Sequence, residues 1–167
     1  MSRRAHAELY YHYAWATKQR APLIARSWEH RLYGYIANKC IQNGYLPLGV
    51  NGVEDHVHCL VRVRPHVAPC DIAGTLKGSS SHFVNDTVLC SQHFAWQEGY
   101  GVVSVSPRAV RKVIDYINNQ KRHHAIGDTD ELYETMEEEE DGPDSDWEIG
   151  VVGQGVNAGS EHRIAPR

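Results

Sequence analysis

The sequence predicts an α+β fold, a four-stranded antiparallel sheet with helices, and three observations predict it. Residues 8–17, 45–53, 56–64 and 100–105 carry the aromatic and β-branched residues, or the alternation of polar and apolar positions, that mark strands. Between the first and second of these stretches, and between the third and fourth, apolar residues recur at helical spacing. After the fourth, a further capped helix begins, and an acidic run then ends all periodicity. The order β-α-β-β-α-β describes a ferredoxin-like, RRM-like sandwich. Here it carries an extra C-terminal helix and leaves one face of the sheet free.

Each element follows from its residues. Glu8 to Thr17 is rich in Tyr and Trp and reads as a strand, followed by the basic loop Lys18 to Pro22. Ser27 offers an N-cap to a helix on which Leu32, Ile36 and Cys40 share a face until Gly44 stops it. The second and third strands pair as a hairpin around Gly52 to Asp55. On the third, Val57, Cys59, Val61 and Val63 point toward a core, while His56, His58, Leu60, Arg62 and Arg64 point toward solvent. Residues 71–86 read as a helix on Ile72, Leu76, Phe83 and Val84, weakened by Gly78. Ser106 and Pro107 then serve as N-cap and first residue of the last helix, whose stripe is Val110, Val113, Ile114 and Ile117. Tyr116 and Gln120, four residues apart, share the edge of that stripe.

The composition, 41% hydrophobic and 23% charged, is that of a globular chain. No apolar run approaches the ~20 residues needed to span a membrane, and residues 1–6 lack an apolar signal core. A cytoplasmic protein without a membrane partner is therefore expected. Cys40, Cys59, Cys70 and Cys90 form no C-x-x-C pair, which argues for reduced thiols and against a structural zinc. The net charge of −4 hides two opposed regions. Residues 128–148 hold twelve of the 21 acids and no Lys or Arg, whereas residues 1–127 hold 15 of the 17 basic residues and only eight acids. The expected division is thus a basic domain over 1–127 and a disordered acidic tail over 128–167. A basic body suits a phosphate-bearing partner. The charge of the tail suggests that it shields this body until nucleic acid arrives.

Two imidazoles side by side on a strand make an open metal site conceivable, and a nearby phenol could attack a phosphate polarised by the metal. A lone H-x-H is weak in a chain with eleven histidines. A tyrosine between isoleucines is ordinarily a core-edge residue. The joint arrangement of histidine pair, Tyr-x-x-x-Gln and basic body is more specific.

Five segments, in order, carry a family resemblance: Ala16-Thr-Lys-Gln-Arg-Ala-Pro-Leu-Ile24, Asp55-His-Val-His58, Leu76-Lys-Gly-Ser-Ser-Ser81, Phe94-Ala-Trp-Gln-Glu-Gly-Tyr-Gly101 with Ser104-Val-Ser106, and Tyr116-Ile-Asn-Asn-Gln-Lys-Arg-His-His124. The chain resembles the single-tyrosine HUH transposases of small insertion sequences and the REP-associated tyrosine transposases. The resemblance implies metal-dependent cleavage and rejoining of single-stranded DNA at hairpin-flanked, palindromic ends. Tyr116 would be the catalytic nucleophile forming a 5′-phosphotyrosine. His56, His58 and Gln120 would hold Mg2+ or Mn2+. Cutting two element ends with one nucleophile per chain would call for a homodimer, with Tyr116 serving either its own or its partner's site. Lys18, Arg20, Arg62, Arg64, Lys77, Arg108, Arg111 and Lys112 are candidate DNA contacts. Two other readings stay open. One is a noncatalytic single-stranded nucleic-acid binding module, and the other is a metal-dependent phosphodiesterase with water as nucleophile.

Overall fold

The computed structural model describes residues 6–89 and 93–136. Its elements are β1 (Leu9–Ala16), α1 (Glu29–Gln42), β2 (Leu46–Gly52), β3 (His56–Val63), α2 (Pro69–Val84), β4 (Gly101–Val105), α3 (Val110–Asn118), α4 (Gln120–Ile126) and α5 (Glu131–Glu134). The strands form one sheet in the order β2-β3-β1-β4, with every neighbouring pair antiparallel. This is the predicted α+β sandwich.

Register divides the sheet into two chemically different faces. Trp15 lies opposite Val57 and Tyr13 opposite Cys59. These four, with Val61, meet Leu32, Ile36 and Cys40 of α1 and Ile72 and Leu76 of α2 in the main core, all of them buried. Each fully buried aliphatic side chain contributes roughly 1.5–3 kcal/mol. One position along, Ala16 pairs with His56, Ala14 with His58 and His12 with Leu60 on the opposite face.

That second face is not free, and the expectation of a solvent-facing histidine surface is corrected: His56, His58 and Leu60 are 0% exposed. Val113 and Ile117 of α3 pack on Leu60 and Val105. Ile117 packs over Gly49, at ordinary van der Waals distance from where a Cβ would stand there. Asn51 of β2 donates its side-chain N–H to the Ile117 carbonyl at 2.9 Å, tying the end of α3 to the sheet. Arg62 and Arg64, by contrast, remain exposed toward the far end of β3.

Helix starts differ from expectation in detail. Trp28, not Ser27, stands at the N-cap of α1, and no side chain caps it. Ser106 contributes its carbonyl to the Ala109 N–H at 2.9 Å, forming a turn before α3 begins at Val110. The run bearing Tyr116 and Gln120 is also not one helix, because Asn119 (φ −100°, ψ 15°) separates α3 from α4.

For residues 128–136 the expectation of a disordered acidic tail is corrected. Gly127 takes a left-handed conformation (φ 69°) that reverses the chain after α4. Asp130 then caps α5 by accepting the Leu132 N–H at 3.2 Å. Met136 is buried against Ala14 and Ala16. Residues 137–167 lie outside the described residues.

Candidate metal centre and nucleophile

His56 and His58 stand on the same face of β3, and each ring is fixed from behind. Asp55 accepts the Nδ1–H of His56 at 2.6 Å, and His12 of β1 bonds Nδ1 of His58 through Nε2 at 3.0 Å. Asp55 is itself held: its carbonyl accepts the Thr17 N–H at 2.8 Å, and Arg20 lies 3.5 Å from its carboxylate. With both Nδ1 atoms engaged, the two Nε2 atoms face inward, buried and without a well-formed hydrogen bond among the described residues. An outer partner on Nδ1 and a free Nε2 is how metal-ligating histidines are presented.

Three further groups converge there. Donor atoms of His56, His58, His124 and Glu134 all lie within 4.8 Å of one another. Glu134 stands 3.3 Å from Nε2 of His56, 3.4 Å from that of His58 and 3.5 Å from that of His124. Gln120, the expected third ligand, is fully buried, and neither of its amide atoms has a hydrogen-bond partner among the described residues. An unsatisfied buried amide is costly, so it too is suited to face a cation. The donor set of imidazoles, amide and carboxylate fits a divalent ion.

Tyr116 is buried on α3, its ring 6.0 Å from that of His58 and stacked at 4.8 Å on His123. Its hydroxyl donates to the Glu134 carboxylate and accepts the Asp130 N–H at 3.1 Å. Burial, reinforced by the Glu134 carboxylate, pushes the phenol up to about 12. Burial and the neighbouring His58 drive His12 down to about 3, and burial also lowers His58. For His56 burial pulls downward, but the carboxylates of Asp55 and Glu134 prevail and raise it. Burial would raise Glu134, yet the facing imidazoles of His56 and His58 hold its carboxyl far below the usual range. The pocket therefore holds an ionised carboxylate beside rings that burial disfavours as cations, His12 and His58, and one, His56, that the carboxylates draw toward its charged form.

The predicted basic contacts are dispersed. Lys18 and Arg20 form the turn at the edge of the site, and Arg20 also reaches within 3.4 Å of His56 Nδ1. Arg108, Arg111 and Lys112 are exposed at the start of α3, with Arg111 paired to Asp115 at 3.5 Å. Arg62 lies over the Tyr10 ring. Lys77 is on α2, which packs on the apolar face, and it donates to the Glu98 and Gly99 carbonyls at 2.5 and 2.7 Å. His12, Asp55, His124 and Glu134 were not anticipated as site residues. His124 lies four residues after Gln120 on α4, a spacing that shares a helical face. His12 alternates with Ala14 and Ala16 on the polar register. Glu134 carries no local signal.

Comparison with known proteins gives the chain a family. Residues 5–120 match the family described as transposase, IS200 like. The ISDra2 transposase TnpA of Deinococcus radiodurans is 27% identical over 118 residues, spanning 68% of this chain and 84% of that protein. A crystal structure of a candidate transposase from Deinococcus radiodurans superposes with a TM-score of 0.60 at 26% identity, covering 72% of this chain and 96% of the other. A REP-associated tyrosine transposase, solved bound to a REP hairpin, shares the fold with a TM-score of 0.54 at 13% identity, covering 77% of this chain and 75% of that one. Among the described residues, no helix is long and apolar enough to cross a membrane.

Proposed function

We propose that this chain, which belongs to the IS200-like family of transposases, cuts and rejoins single-stranded DNA through a covalent bond to Tyr116. The observation that carries the reading is convergence: the Tyr116 hydroxyl and the free Nε2 atoms of His56 and His58 meet at one carboxylate.

His56 and His58 would hold a divalent cation, with Gln120, His124 or Glu134 filling its remaining protein positions. Mg2+ or Mn2+ bound there supplies positive charge to the non-bridging phosphate oxygens, which otherwise repel a nucleophile. The residues of the chain do the rest. Asp55 and His12 fix the two rings, and α3 aims the phenol into the same pocket. The Tyr116 oxygen forms a bond to phosphorus as its proton passes by way of the Glu134 carboxylate, which accepts from it, to water. The bond from phosphorus to the 3′ oxygen breaks, and that oxygen takes a proton to leave a free 3′-hydroxyl. Because the phosphotyrosine conserves the phosphodiester, attack by another 3′-hydroxyl reverses the step without ATP.

The sequence reads the catalytic unit as residues 1–127, and residues 128–136 pack against it and bring Glu134 to the histidines. Lys18, Arg20, Arg62, Arg64, Arg108, Arg111 and Lys112 are the proposed backbone contacts. Hairpin DNA is the substrate suggested by the REP-associated relative, and one nucleophilic tyrosine per chain with two ends to cut supports a homodimer.

The test is a denaturing gel of the protein with labelled single-stranded DNA from the flanks of its gene and Mn2+ or Mg2+. A labelled band at protein size, absent with EDTA and in Tyr116→Phe, is the expected result. Cleavage without that band would assign the attack to water. Binding without either product would leave a noncatalytic binding module.

A further inference from the structure

We infer that Glu134 is itself a ligand of the divalent cation, carried to the histidines by residues 128–136. This rests on the metal-dependent reading above but concerns a residue beyond the span that matches the family, which ends at residue 120.

Geometry separates coordination from simple ion pairing. The Glu134 oxygens lie 3.3–3.5 Å from three different imidazole Nε2 atoms. Ligand bonds of about 2.0–2.2 Å place neighbouring donors about 2.8–3.6 Å apart at right-angle to tetrahedral geometry. Although these separations are within hydrogen-bond reach, neither His56 nor His58 directs Nε2 at the carboxylate with hydrogen-bond geometry. Donor atoms of His56, His58, His124 and Glu134 all lie within 4.8 Å of one another, close enough to share one ion. The chemistry agrees, because Mg2+ and Mn2+ prefer oxygen donors and two imidazoles alone serve them poorly.

The segment is built to deliver this carboxylate. Gly127 reverses the chain, and the Asp128 N–H closes on the His123 carbonyl at 3.0 Å. Tyr133 packs edge-on against His12 at 4.9 Å and beside Tyr116 at 5.3 Å. Ala14, Ala16 and Gly101 provide a trough of small residues for its end. A Cβ at Gly101 would sit 1.9 Å from the Thr135 carbonyl, so only glycine admits the chain there. Because Glu134 also accepts from Tyr116, the same residue holds the nucleophile beside the cation.

The experiment is a titration of the metal-stripped full chain with Mn2+, followed by calorimetry and by the Mn2+ paramagnetic resonance signal. Wild type, Glu134→Ala, Glu134→Gln, Gly101→Val and His56→Ala are compared, with thermal melts to establish folding. The expected result is one tight site that weakens roughly 10–100-fold in both Glu134 variants and in Gly101→Val, and is lost in His56→Ala. If Mn2+ binds wild type and both Glu134 variants equally, the inference is overturned while the metal reading stands. A rise in adduct formation in those variants would then make residues 128–136 a plug that DNA must displace. If wild type binds no Mn2+ at all, the metal reading and this inference fall together.

Discussion

The two faces of the sheet are both buried, yet they are built on opposite terms. On one face, Val57, Cys59 and Val61 meet Trp15 and the aliphatic stripes of α1 and α2 in an almost wholly apolar core, where the Trp15 indole N–H is left without a partner among the described residues. On the other, His12, His56, His58 and Gln120 are at most 1% exposed, and several of their polar atoms have no well-formed partner among the described residues. Polar groups left unsatisfied in a dry site cost about 1–3 kcal/mol each. The first face stabilises the fold. The second is sustained by it and holds chemistry ready for a ligand.

Mutations should separate the two faces, and the largest effect is expected at the nucleophile. Tyr116→Phe should abolish the covalent adduct in protein that remains folded, at a cost of about 1–2 kcal/mol from the two hydrogen bonds of its hydroxyl. Leu76→Ala, on the apolar face, should do the reverse. It should cost about 2–5 kcal/mol of stability by urea unfolding, with adduct formation retained wherever the chain is folded. If Leu76→Ala removed activity from fully folded protein, the division between the faces would break.

Smaller effects sharpen it. Asp55→Asn loosens the hold on His56 and should weaken Mn2+ binding roughly 10–100-fold in calorimetry. The histidine face should also give the metal-free protein its acid sensitivity. The folded value of His12 lies near 3, below its ordinary 6.5. A depressed value means that its contribution to stability is present above pH 6.5 and drains away as pH falls toward 3. In EDTA, His12→Gln should therefore show a flatter loss of stability across that window. An equal slope would assign the sensitivity elsewhere. The smallest expected effect is on exposed cations. Arg108→Ala or Lys112→Ala should each reduce the slope of log affinity against log salt by about 1, with little change in cleavage of bound DNA.

The apolar face was legible because its signals are local. Alternation in β3 and the four-residue recurrence of Leu32, Ile36 and Cys40 each specify a direction for side chains. His56, His58 and Tyr116 were legible as types in a pattern, and the strand and helix placed them as expected. Their burial was not legible. It depends on Asn51 reaching the Ile117 carbonyl, a contact between residues more than sixty positions apart. The break at Asn119 likewise escapes a periodicity that simply continues across it.

Glu134 shows the limit most clearly. It is one acid among twelve in residues 128–148, and composition alone reads that run as solvated. Selecting it requires the left-handed turn at Gly127 and the trough of Ala14, Ala16 and Gly101, which are distant in sequence and unremarkable separately. His12 was hidden differently, as a single imidazole in a strand whose aromatics point to the core.

The most direct measurement locates the covalent bond. Protein crosslinked to single-stranded DNA in Mn2+ would be digested with nuclease and trypsin, and the peptides sequenced by tandem mass spectrometry. The account predicts a nucleotide remnant on Tyr116, within the peptide Val113 to Lys121. A remnant on Tyr133, whose ring lies 5.3 Å from that of Tyr116, or cleavage with no remnant on any tyrosine, would contradict it.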